Sequence, residues 1–451
     1  MMCAVGNRVC SVVRRTAAMS LLLILLSGWG AFAQGKPTLD TGDTAWVLMS
    51  TALVMFMTPG LALFYAGMVR TKNVLGTIMH SFVMLGIVGV TWVLFGYSLS
   101  FGGSGKYIGD LAWFGLKGVG IVPNADYAAT IPASTFMIFQ GMFAIITPAL
   151  MSGAIAERMK FGAYCLLMFL WSAIVYTPIA HWVWGKGGFL GATGIGALDF
   201  AGGTVVHISS GIAALACCIM LGKRRGLGSE ELAPHNVTMT VMGASILWFG
   251  WFGFNAGSAL GANGIASNAF VTTNTAAAAA TLSWLLCERM FAQKPTALGA
   301  ASGCVAGLVA ITPGAGFVTP LSAVFIGFIV SFLSYGAIQM KGKLGYDDSL
   351  DVVGVHFVGG TWGALATGLF CTSEANSLVK FQGLFLGGGF TQLIKQIIAI
   401  GITAVFSFAV TMILLVIIKA LVGLRVNVED ETIGLDLSQH GELGYNLEAG
   451  H

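Results

Sequence analysis

Long apolar stretches separated by short polar segments organise this chain. Eleven of them approach the roughly 20 residues that a helix needs to cross bilayer hydrocarbon. They run over about 44–67, 74–101, 133–154, 161–184, 199–222, 237–258, 267–290, 297–313, 318–340, 351–372 and 394–418. The eighth is short and rich in glycine and alanine. Apolar positions within each stretch are continuous rather than alternating, which predicts helices and not a barrel. The expected fold is an all-α polytopic membrane protein with eleven transmembrane helices.

The polar segments add an orientation. Arg8, Arg14 and Arg15 precede a short apolar run, Met19 to Leu26, and then Gly-Ala-Phe-Ala at 30–33. That is the layout of a secretory signal peptide over 1–33, cleaved after Ala33. Residues 34–422 then form the transmembrane domain, with its mature N-terminus outside. Loops and tail on the opposite side carry thirteen lysines and arginines, and the outer loops carry six. The positive-inside rule gives the same topology. It places the polar tail, 423–451, in the cytoplasm, either solvated or as a docking segment for a cytosolic partner.

Composition narrows the class further. Charged residues make up 9% of the chain, against roughly 25% in soluble domains. A net charge of +3 without basic blocks gives no reason to expect nucleic acid. The cysteines beyond the signal fall in or beside helices and show no zinc spacing. They read as small apolar fillers.

Two local patterns match across the chain. Asp199-Phe-Ala-Gly-Gly-Thr-Val-Val-His207 and Asp348-Ser-Leu-Asp-Val-Val-Gly-Val-His356 each place a histidine eight residues after an aspartate, inside an apolar span. Titratable groups within a membrane are costly, and each is a candidate functional site. Their recurrence predicts an inverted five-plus-five repeat, with halves over about 44–222 and 237–372. An eleventh helix, 394–418, braces them. Facing imidazoles in a dry lumen resist carrying two charges and titrate as a coupled pair. Such a pair could relay a proton or hydrogen-bond a small neutral molecule. Two unrelated core histidines are the structural alternative. A metal site is disfavoured because no third ligand is suitably placed. His80 is read as the only other histidine within a span.

Further candidates surround the pair. Asp199, at the start of the fifth span, is expected to cap backbone amides and support a nearby cation site. Asp348 and Asp351 are expected to cap the tenth span. Aromatic faces attract cations, and Trp184, Phe139, Phe143, Trp251 and Phe254 stand near these motifs. Ser258 follows as a hydroxyl able to accept from the same cation.

Taken together, these residues resemble the ammonium transporter (Amt/Mep) family, in its bacterial form. The resemblance rests on the two aspartate–histidine motifs, Gly250-Trp-Phe-Gly-Phe-Asn-Ala-Gly-Ser258, Asp347 and Ala156-Glu-Arg158. It implies a homotrimer in the cytoplasmic membrane, with one narrow pore per subunit and no cofactor or metal. His207 and His356 would be the twin histidines of the pore. Trp184, Ser258 and Phe139 would bind ammonium, or methylammonium as its analogue. Phe143 and Phe254 would form a stacked gate, Trp251 would line the pore, and Asp199 would be a support. Membrane lipid would surround the subunit. The tail, with Gly423-Leu-Arg-Val, Gly434-Leu-Asp and His440-Gly-Glu, resembles tails that help a PII signal protein block the pore. An ammonium sensor with little transport is the alternative. No nucleophile or soluble domain suggests an enzyme.

Overall fold

The structure, a computed structural model, describes residues 38–445; the expected signal peptide at 1–33 lies outside them. Among the described residues the fold is helical, with three isolated β-bridges and no strands. Ten helices are long and apolar enough to cross a membrane. They are α1 (Thr41–Ala66), α2 (Thr71–Phe101), α3 (Ala133–Ile155), α4 (Phe161–Trp184), α5 (Gly203–Leu221), α6 (Val237–Ala259), α7 (Gly264–Phe291), α9 (Pro320–Leu344), α10 (Val353–Phe370) and α11 (Thr391–Leu421). The expected eighth span is the shorter α8, Ala297–Ile311. Its 15 residues rise about 22 Å, less than the hydrocarbon thickness. Two short helices close the chain, α12 (Val428–Ile433) and α13 (Leu435–His440).

Helix starts follow from local chemistry. Asn263, Thr296 and Thr319 cap α7, α8 and α9, each side chain accepting from an amide of the first turn. Pro320 adds a preset φ at the first position of α9.

Packing partners recur between the halves. Helix α1 lies against α6, and α5 against α10. The α1–α2, α1–α3 and α2–α4 contacts are matched by α6–α7, α6–α8 and α7–α9. Helix α11 touches α4, α5 and α10, and so spans both halves.

Two ends of the bundle differ in character. One, the broad-loop face, carries the long segments 102–132, 185–202 and 371–390. The other, the arginine face, holds a buried ion network. Arg70 and Arg224 both reach Glu157, at 3.0 and 3.6 Å, and Arg224 also grips Asp347 at 3.0 Å. Burial alone would raise the Glu157 carboxyl, but the Arg70 amide and both guanidiniums hold it below the usual carboxylate range. For Asp347 too, Arg224 outweighs burial and lowers the carboxyl. The tail packs on this face up to Tyr445. Leu435 donates to Asn73 Oδ1 at 2.8 Å, Gly76 donates to Asp436 Oδ1 at 2.8 Å, and Arg425 pairs with Glu431 at 2.7 Å.

Asp348 is the exception in this network. It is buried, and its Oδ1 has no hydrogen-bond partner among the described residues. Burial first, and the Asp351 charge second, push its carboxyl up to about 6. A folded-state value above the unfolded one means a stabilising proton below about pH 4, lost as pH rises through about 6. The shift corresponds to a cost on the order of 2–3 kcal/mol at neutral pH. Asp348→Asn is therefore expected to raise the thermal midpoint at pH 8 and leave it unchanged at pH 4. An equal offset at both ends, in melts of the purified protein, would contradict this.

Candidate functional site

Asp199 builds the first half of the site. The backbone turns at Gly202, where φ is +116°, a conformation that favours glycine. The carboxylate then folds beneath the first turn of α5. Gly202 and Gly203 donate to Oδ1 at 2.8 and 2.6 Å, and Thr204 and Val205 donate to Oδ2 at 2.7 and 3.2 Å. The Thr204 hydroxyl donates to Oδ2 as well. One anion thus satisfies the amides that open the helix. This first turn, Gly203–Ile208, is a π turn and carries His207.

The second half repeats the plan with a lighter cap. Val353 donates to Asp348 Oδ2 at 2.7 Å. The first turn of α10, Val353–Val358, is again a π turn and carries His356. Such turns are rare and concentrate at functional sites. Asp351, expected as a second cap, does something else: it has a left-handed φ of +64° and pairs with Lys341.

Glycines four residues after each histidine bring the two helices together. A Cβ on Gly211 would lie 2.3 Å from the Phe357 nitrogen, and one on Gly360 would lie 2.9 Å from His207 Cβ. Either would force α5 and α10 apart. At this spacing His207 Nδ1 and His356 Nδ1 stand 3.3 Å from each other, both rings buried. Only one of the two facing nitrogens can donate, so a single ring proton lies between them and the two rings take opposite tautomers. His207 Nε2 has no partner among the described residues.

Aromatic rings complete the column. Trp251 lies 5.5 Å from the His207 ring at 23°, its indole N–H donating to Thr312 Oγ1 at 2.8 Å. Phe254 follows at 6.2 Å from His207, and Phe143 lies 4.3 Å from Phe254 with the rings tilted by 39° rather than stacked as expected. A slot of about 10 Å³ runs beside both histidines, lined by Phe64, Trp251, Phe254 and aliphatic side chains. Beyond Phe143, toward the broad-loop face, a cavity of about 650 Å³ opens. Trp184 and Ser258 line it. The Trp184 indole N–H donates to the Asp199 carbonyl at 2.9 Å, and the Ser258 hydroxyl donates to the Phe254 carbonyl at 2.8 Å. Both oxygen lone pairs of Ser258 remain free to accept.

A family model described as Ammonium Transporter Family matches residues 45–445. The chain belongs to that family. An ammonium transporter of Bacillus subtilis (strain 168) is 54% identical over 408 residues, 90% of this chain and 99% of that protein. The crystal structure of Candida albicans Mep2 is similar, with a TM-score of 0.82, 35% identity and 90% of each chain covered. A structure described as Sensor Amt Protein gives a TM-score of 0.80 at 30% identity, covering 88% of this chain and 98% of that one. Family membership and ten apolar helices make this a multi-pass membrane protein.

Within this family member, most of the residues singled out from sequence converge on one column. His207, His356, Trp251, Phe254, Phe143, Trp184, Ser258 and Asp199 lie along it or cap it. Phe139 is set back. It is fully buried, packs 5.1 Å from Phe143, and does not line the large cavity. Its neighbour Gln140 lines it instead, with Oε1 unpartnered. Sequence reasoning passed over Gln140 and also His181, a second additional histidine within a span. His181 Nδ1 lies 2.9 Å from the Ser100 carbonyl and Nε2 lies 2.6 Å from that of Gly105, tying α4 to the end of α2 and the loop beyond it. The Pro178-Ile-Ala-His181 turn, three residues before Trp184, was the available signal.

Proposed function

We propose that the protein transports ammonium across the cytoplasmic membrane, taking it up at the broad-loop face. One observation carries this reading: two imidazoles 3.3 Å apart, in a slot that two closely packed phenyl rings divide from a wide vestibule. Ammonium enters the vestibule hydrated. The Trp184 face attracts it, and Ser258 accepts from one of its N–H groups, so part of its water shell is replaced. A bare cation in the slot beyond would lose several kcal/mol of solvation. Loss of the proton removes that penalty. Neutral ammonia then passes the phenyl pair and the histidines, and regains a proton on the far side. Potassium has no proton to give up, so charge rather than diameter excludes it.

The family resemblance supports a homotrimer, and a PII signal protein docked at the arginine face. The lysine and arginine count supports a cytoplasmic position for that face. A sensor role is the second reading, favoured by the likeness to the Sensor Amt Protein; the closer identity to a transporter weighs against it. Methylammonium uptake by cells that lack their own ammonium transporters tests the proposal. Accumulation above the empty-vector level supports transport, and none at any external concentration leaves the sensor. Currents from reconstituted protein then report the proton: a current on an ammonium jump means that it follows the ammonia through the protein.

A further inference from the structure

Arg158 has no part in the pathway just described, yet it is among the most thoroughly buried large side chains of the molecule. All but one of its partners lie in the segments that flank the two helices carrying the histidines. Nε donates to the carbonyl of Gly222, the residue that ends α5, at 3.1 Å. Nη2 donates to the Asp347 carbonyl and Nη1 to Ser349 Oγ, both at 2.6 Å, just before α10 begins. Nη1 also reaches the Ala156 carbonyl at 3.2 Å. A planar guanidinium holds such a set of acceptors in one fixed arrangement, which a flexible ammonium cannot do. The backbone on either side is pinned too. Val426 of the tail donates to the Arg158 carbonyl at 3.1 Å, and Lys160 donates to the Leu424 carbonyl at 2.9 Å.

We infer that Arg158 is a positioning residue for the histidine pair, locking the end of α5 to the start of α10. The inference rests on the proposed role of the pair. Helices are stiff along their axes, and Gly211 and Gly360 let these two touch without intervening side chains. Sliding one along the other therefore changes the 3.3 Å separation directly. Arg224 joins the same two segments through Asp347, and Arg425 donates to the Leu221 carbonyl at 3.0 Å. The lock has several strands, so loss of the Arg158 fork alone need not unfold the protein. Among residues lining the slot, only His207 and His356 titrate. Charged groups facing Arg158 are Asp347, Arg224 and Arg425, with Glu157 beside it in the chain.

The test uses the full chain carrying Arg158→Lys, which keeps the charge and loses the fork. Ser349→Ala is the milder variant, removing one acceptor. Methylammonium uptake is followed from about pH 5 to 8, with protein amount and thermal midpoint measured in parallel. Moving reacting groups by about 1 Å is enough to cost tenfold or more in rate. The expected result for Arg158→Lys is that loss, with a shift of about half a pH unit or more in the profile. Ser349→Ala is expected to shift it in the same direction by less. A role confined to stability lowers the whole profile without moving it. Unmoved profiles in both variants, whatever the rates, overturn the inference, and Ser349→Ala decides alone if Arg158→Lys fails to fold. His207→Asp is the control: unchanged rate and unchanged profile there would remove the reading of the pair itself.

Discussion

Methylammonium uptake is expected to fall at least about tenfold when His207 is replaced by leucine, a loss typical of removing a positioned proton-handling group. Leucine fills much the same volume, and the neighbouring Trp251 and Gly360 need not move far. What disappears is the Nδ1 that faces His356 across 3.3 Å and the unpartnered Nε2 on the other side of the ring. The slot is then wholly apolar on that wall, and His356 alone is left as a hydrogen-bond partner for ammonia midway. His207→Asp probes the opposite limit. A fixed anion in the slot offers a cation the counter-charge that the native pair lacks. Potassium entry is the expected outcome, read as potassium-dependent current or growth inhibition in cells making the variant. Wild-type uptake by His207→Leu, at equal protein level, would place the pathway elsewhere.

Asp199→Ala is expected to destabilise the protein more than any other single change at the site. The carboxylate accepts from four backbone amides and one hydroxyl, and it is 8% exposed. Hydrogen bonds to a charged group contribute about 1.5–3 kcal/mol each. Their sum overstates the loss, because α5 can relax and water can enter. A cost of about 4 kcal/mol or more is a reasonable expectation, at the upper end for single substitutions. The consequence reaches Trp184, whose indole is tied to the Asp199 carbonyl. Asp199→Asn keeps an oxygen acceptor for part of the amides and should fall between wild type and alanine. Detergent-solubilised yield and thermal midpoint measure the series. Alanine and wild-type proteins melting together would refute the cap as the organising element of the α5 start.

Much of this architecture was legible in the residues. Hydropathy located the spans because lipid and protein interior both demand apolar surface, and a span cannot be shorter than the hydrocarbon. That criterion works least well at Ala297–Ile311, where helix length rather than polarity departs from the norm. The histidine pair was legible because each ring is costly and each has an aspartate at the same offset. Side-chain direction was not. Phe139 and Gln140 are adjacent in sequence, and only the rotation of α3 decides which of them reaches the vestibule. The buried arginine was equally hidden. Nothing in Ala156-Glu-Arg158 says that its fork meets carbonyls 64 and 189 residues away.

The slot beside the histidines has a physiological consequence. At about 10 Å³ it has room for about one water at most, too little for a file of water molecules beside the two rings. If the slot is the pathway proposed above, proteoliposomes holding the protein are expected to shrink under osmotic stress no faster than bare lipid. On that reading, a membrane densely packed with the protein gains ammonium uptake without gaining a leak of water.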